Sequence, residues 1–165
     1  MSAPLAHAMS APLARAMSAP FAVVAFTGEA DLPWLRLLRP GFRHCFVAVN
    51  DGRHWLVIDP LSSGMEVRVA AVGADFDLGT WLTAQGLTVV IAAVRRGLTQ
   101  PAPWAPFTCV EAVKRVLGLH HRFLITPWQL YRHLVRIAVG TSNAGIYSTI
   151  SSGLFSGVPS LYPKE

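Results

Sequence analysis

Asn50-Asp51-Gly52, set between the strand-like runs Arg43–Val49 and Arg53–Ile58, constrains this chain more than any other short segment. An Asp-Gly pair accepts the positive φ that tight hairpin turns require, so the two runs are expected to pair as antiparallel strands. With Asp51 and Gly52 as the central residues, Asn50 faces Arg53 and His44 falls directly opposite Asp59. Strand alternation then puts Phe46, Ala48, Trp55 and Val57 on the face of His44, and Cys45, Val47, Val49, His54, Leu56 and Ile58 on the other. A three-residue turn with a bulge would instead pair His44 with Ile58 and leave Asp59 diagonal.

The remaining patterns extend this hairpin into an α+β fold. Phe21–Phe26 reads as a strand, and Leu32-Pro33 follows Asp31 as the start of a helix through Leu38, stopped by Pro40-Gly41. Met65–Val72 gives a third strand of the meander, and the β-branched run in Leu87–Val94 another. Between them Leu78–Gln85 reads as a short helix ended by Gly86. Thr108-Cys109-Val110-Glu111 has the Ser/Thr-x-x-Glu form of a capping box, with Val110, Val113, Val116 and Leu117 on one helical face and Gly118 as the stop. Thr126-Pro127 opens a second helix through about Ala138.

The 165 residues suit one domain, and 52% hydrophobic against 14% charged residues is enough to build one core. Residues 1–24 read MSAPLAHA, MSAPLARA, MSAPFAVV, an eight-residue unit three times over, and residues 1–19 are expected to be a repetitive leader outside the core, with Met17 a second candidate start. The domain is expected over residues 20–139, with a loosely ordered Gly/Ser-rich tail over 140–165. Pro4, His7, Pro12 and Arg15 interrupt the N-terminal apolar residues, so no secretory signal is expected, and no window offers 18 uninterrupted apolar residues. Cytoplasmic location is the default. The net charge is +5, but Lys and Arg are scattered rather than gathered in a stripe, which argues against a nucleic-acid partner.

Two cysteines, Cys45 and Cys109, make no disulfide framework. Cys109 is the first helical residue after a capping threonine, where unpaired backbone N–H groups and the helix dipole favour a thiolate. The competing assignment is a small buried apolar residue. Among the six histidines His44 is the one strand histidine with a carboxylate, Asp59, placed across from it, which is the arrangement of a base and its orienting acid. The Cys109 backbone N–H would supply one oxyanion donor and Gln100, in the proline-rich connector, is the candidate for a second. Trp55 and Trp104 are candidates to wall a substrate groove, against the plainer expectation that they fill the core. No C-x-x-C or H-x-x-x-H spacing exists and adjacent His44 and Cys45 point to opposite faces, so neither a metal nor a cofactor is expected.

The order His44 in FRHCF, Asp59 in VIDP and Cys109 in FTCVEAV resembles the permuted NlpC/P60 branch of papain-like proteins over about residues 20–138. The Asn-Cys-Glu-His-Phe signature of the lecithin:retinol acyltransferase-like relatives is absent. The resemblance implies a circularly permuted papain-like fold, with a small antiparallel sheet packed against helices. It also implies a thiol hydrolase or acyltransferase acting on amide or ester bonds of peptide, cell-wall or acyl substrates. The alternative is a papain-like interaction or structural module without turnover, as in a phage or secretion assembly.

Overall fold

The computed structural model describes residues 20–29, 32–95 and 106–141. Five strands, β1 (Phe21–Thr27), β2 (His44–Asn50), β3 (His54–Leu61), β4 (Gly64–Gly73) and β5 (Thr88–Ala93), form one antiparallel sheet in the order β4-β3-β2-β1-β5. Three α-helices, α1 (Leu78–Ala84), α2 (Cys109–Leu117) and α3 (Pro127–Thr141), complete the α+β architecture, and Pro33–Leu37 is a single 3-10 helix. None of the helices among the described residues is long and apolar enough to cross a membrane.

β1 is the second strand from one edge, yet its interior is buried on both faces, which explains its uninterrupted apolar sequence. Ala22, Val24 and Phe26 join Cys45, Val47, Val110, Val113, Leu117, Leu130 and Leu134 in a core between the sheet and the pair α2 and α3. Val23 and Ala25 face the opposite way, into a second core with Phe46, Ala48, Trp55, Val57, Leu78 and Leu82, closed by α1. The sheet is therefore sandwiched between helices.

The hairpin forms where Gly52 takes φ +90°, but its register differs from the expected one. Asn50 pairs with Trp55 and Val47 with Ile58, two residues away from an Asn50–Arg53 pairing. Asp51 causes the difference. Its Oδ1 accepts from the backbone N–H of Arg53 at 2.7 Å and of His54 at 2.6 Å, while its own N–H donates to the His54 carbonyl at 3.2 Å. Gly52 and Arg53 thus become the central residues. A slip of two preserves every face assignment, because side chains alternate with period two.

The helix ends follow their caps. Thr108 Oγ1 accepts from Glu111 N–H at 3.2 Å, but the Glu111 carboxylate does not return to the Thr108 backbone. It binds Lys114 Nζ at 2.7 Å and Arg115 Nε at 2.9 Å instead, so only half of the expected capping box forms. The reciprocal box belongs to α3: Gln129 N–H donates to Thr126 Oγ1 at 3.3 Å, and Gln129 Oε1 accepts from Thr126 N–H at 3.0 Å. Gly118, left-handed at φ 67°, closes α2, with its N–H on the Arg115 carbonyl and that of Leu119 on the Lys114 carbonyl.

Candidate active site

His44 is the first residue of β2 and pairs with Thr27 of β1. On the other side the β2–β3 ladder stops at Val47–Ile58, so His44, Cys45 and Phe46 extend past it. Asp59 follows immediately on β3, just beyond the same ladder end, and Pro60, which has no N–H to give, comes next. Across this parting His44 Nε2 and Asp59 Oδ1 meet at 2.7 Å. By continuation of the register Asp59 lies across from Phe46, so the His44–Asp59 bond is diagonal rather than directly cross-strand. Asp59 is 6% exposed, and the His44 side chain 18%.

α2 packs on the Cys45 face of the sheet, and its first residue sits at the parting of β2 and β3. Cys109 packs against the core that contains Cys45, and it also lines the cleft that contains His44 and Phe46. Cys109 lies close enough to His44 and Cys45 for both to influence its ionisation. With His44 Nε2 committed to Asp59, Nδ1 is the ring nitrogen left for Cys109. Cys45 and Cys109 are both free thiols. The Cys45 and His44 side chains point to opposite sides of β2, as strand alternation predicts, and the helix start brings Cys109 against both the Cys45 core and the His44 cleft.

The electrostatics divide the three groups sharply. The Cys109 thiol is lowered from its ordinary value to about 5, chiefly by the hydrogen bond from Cys45, which with the bond and positive charge of His44 outweighs the cost of burying a thiolate. His44 is raised to about 9: burial disfavours its charged form, but the Asp59 hydrogen bond, and next the bond and charge of Cys109, overcome it. Burial in the apolar core pushes the Cys45 thiol well above its ordinary value, so it stays protonated. Between about pH 5 and 9 these shifts favour a thiolate beside an imidazolium, the charge state that a cysteine nucleophile would need.

The cleft has a volume of about 1210 Å³, with Cys109, His44 and Asp59 on its wall. Trp34, Leu35, Leu61, Met65, Trp81 and Phe107 contribute apolar surface. Glu29 and Asp59 are its acidic residues, and no Lys or Arg is on the described wall. Trp55 is not part of it. It is 2% exposed, donates Nε1–H to the Phe76 carbonyl at 3.2 Å and meets Phe21 edge to face at 5.4 Å, so the groove assignment gives way to core packing. Trp104 and Gln100 lie outside the described residues, as does any second oxyanion donor in that connector. Among the described residues no group of three or more His, Cys, Asp or Glu is placed to hold a metal ion.

Sequence reasoning missed Cys45, Trp34 and Trp81 as parts of the site. Cys45 carried a signal in its adjacency to His44, but the period-two rule pointed away from it. The two tryptophans lie on elements whose positions over the sheet no local pattern specifies. Compared with protein families, with curated proteins and with solved structures, the chain matches none.

Proposed function

We propose that this protein is a cysteine-dependent hydrolase or acyltransferase of permuted papain-like type, acting on an amide or ester bond. The observation that carries the reading is the His44 ring bonded to Asp59 at 2.7 Å on the wall of an open cleft that Cys109 also lines. The chain order of strand histidine, acidic residue on the next strand and helix-start cysteine, in which the NlpC/P60-like resemblance consists, supports it as well.

In this reaction the Cys109 thiolate adds to the substrate carbonyl carbon, and the oxygen takes up the negative charge. The Cys109 backbone N–H, one of the unpaired donors at the helix start, offers a hydrogen bond to it. His44 passes its Nδ1 proton to the leaving nitrogen or oxygen as the C–N or C–O bond breaks, leaving a thioester on Cys109. Neutral His44 then takes a proton from the water, alcohol or amine that attacks the thioester, and the thiolate–imidazolium pair is restored. Asp59 holds the ring in orientation and stabilises its charged form throughout. The described part of the cleft wall, with several apolar side chains and no Lys or Arg, favours an uncharged acyl group over an anionic one.

A panel of p-nitrophenyl esters, followed by intact mass, tests the reading. Wild type should release a burst of p-nitrophenol and carry one acyl group on Cys109. Cys109→Ala should carry none, and His44→Ala should lose nearly as much rate, because an unassisted thiol near neutrality is only a few per cent ionised. A Cys109 that titrates near the free-thiol value of about 8.5 in wild type, with no acyl adduct, would overturn the enzyme in favour of a papain-like binding module.

A further inference from the structure

We propose that β4 is the strand through which two copies of this chain pair, edge to edge and antiparallel, about a two-fold axis at Val67, so that two five-stranded sheets become one. The proposal is independent of the catalytic reading of Cys109.

β4 is an outer strand: it pairs with β3 and, among the described residues, with no strand on its other side. The free N–H and C=O groups of such a strand template a further one, and edges that stay unpaired are usually short, bulged or interrupted by proline. β4 is ten residues long, contains no proline and pairs regularly with β3 over Gly64–Val69. The irregularity in that pairing lies past Val69, between the positions of His54 and Leu56. The other outer strand, β5, has six residues, and α1 and α3 both pack against it.

The side chains of β4 supply the identity of the partner. Met65, Val67 and Val69 stand opposite Pro60, Ile58 and Leu56, on the face that α2 and α3 cover farther along the sheet. They are 46%, 61% and 58% exposed, so that cover does not extend to them. Glu66 and Arg68 occupy the other face, joined by an ion pair of 3.1 Å. Met65-Glu66-Val67-Arg68-Val69 therefore reads apolar, acid, apolar, base, apolar, a pattern complementary to itself when reversed. With Val67 on the axis, Glu66 meets the partner's Arg68, Arg68 meets the partner's Glu66, and Met65 meets the partner's Val69. The four charges form a square of alternating sign. An axis at Glu66 or at Arg68 would oppose like charges, and an axis between residues would oppose a charge to an apolar side chain.

In the Val67 register the helix layers of the two copies lie on the same side of the joined sheet, and Met65, Val67 and Val69 of both form one apolar strip between them. The contact is isologous and uses up both β4 edges, so it closes at two copies. One short ladder with this strip is at the small end of protein interfaces, so the dimer should form at micromolar rather than nanomolar concentration. Met65 also lines the cleft, which places the partner beside the cleft rim.

Sedimentation equilibrium of the full chain over about 1 to 300 µM should show the mass rising from that of one chain to that of two. A wild-type mass of one chain throughout overturns the proposal, whether another segment of the chain fills the edge or none does. A mass that climbs past two chains overturns the closed two-fold pairing. Val67→Lys sets two ammonium groups against each other on the axis at an exposed position, and with an unchanged circular dichroism spectrum it should be monomeric. A Val67→Lys dimer as strong as wild type overturns the proposal. Charge exchange tests the register. Glu66→Arg alone opposes Arg to Arg, and Arg68→Glu alone opposes Glu to Glu, so each should weaken self-association by about tenfold or more. An equimolar mixture of the two variants restores both opposite-charge pairs and should form a mixed dimer. If the mixture associates no better than either variant alone, the Val67 register is wrong.

Discussion

His44 Nε2 and Asp59 Oδ1 lie 2.7 Å apart although the two residues are diagonal, not directly opposed, across β2 and β3. The bond spans the point where the two strands stop pairing, which leaves the imidazole supported on one ring nitrogen and free on the other to meet Cys109. Asp59 is the largest influence raising the basicity of His44. It therefore sets the pH above which His44 loses its proton and with it the general acid of the proposed reaction.

Acyl transfer should follow a bell, rising as Cys109 ionises at about 5 and falling as His44 loses its proton at about 9. Asp59→Asn keeps a hydrogen-bonding group beside the ring but removes the charge. The falling limb should move to lower pH and the plateau rate drop by about 10- to 100-fold, less than for Cys109→Ala. The pH dependence of kcat/KM in the two proteins checks this, and an unmoved falling limb would remove Asp59 from the site.

Stability should also show a plateau, from the same pair. In the unfolded chain His44 titrates near 6.5 and Cys109 near 8.5. His44, raised in the fold to about 9, stabilises fully below its unfolded pKa, and that contribution is lost as pH rises to about 9. Cys109, lowered to about 5, contributes fully above its unfolded pKa, and its contribution is lost as pH falls to about 5. Between about 6.5 and 8.5 the folded and unfolded pairs each bind one proton, so their joint contribution is flat. Below that window the unfolded state binds more protons and stability rises with pH; above it the folded state binds more and stability falls. Urea midpoints measured from pH 5 to 9.5, in wild type and in a His44→Ala, Cys109→Ala double variant, should differ by this plateau, and parallel curves would contradict the pair.

Trp55 and Trp81 should separate cleanly in mutagenesis. Trp55→Ala empties a buried site between Phe21 and the α1 core and should cost about 3–5 kcal/mol in chemical denaturation. Trp81→Ala removes part of the cleft wall and a half-buried neighbour of the same core, so it should raise KM while costing less stability than Trp55→Ala. A Trp55→Ala protein of unchanged stability would show that its burial had been misassigned.

Local chemistry made most of the elements legible in the sequence. The Asp-Gly hairpin, the β-branched runs, Gly118 after an amphipathic stretch and Thr108 before it specify strands, a helix and its ends through neighbours a few residues apart, and they emerge where expected. The placement of His44 and Asp59 on one face was legible for the same reason, since a two-residue change of register preserves it. Long-range packing decided the rest. The interior place of β1, paired to both β2 and β5, depends on strands distant in the chain, and so does the choice of which face each helix covers. Trp55 became core because α1 covers its face. Cys45 became a neighbour of Cys109 because a helix start reached the open end of a ladder, where strand alternation no longer keeps the two sides of the sheet apart.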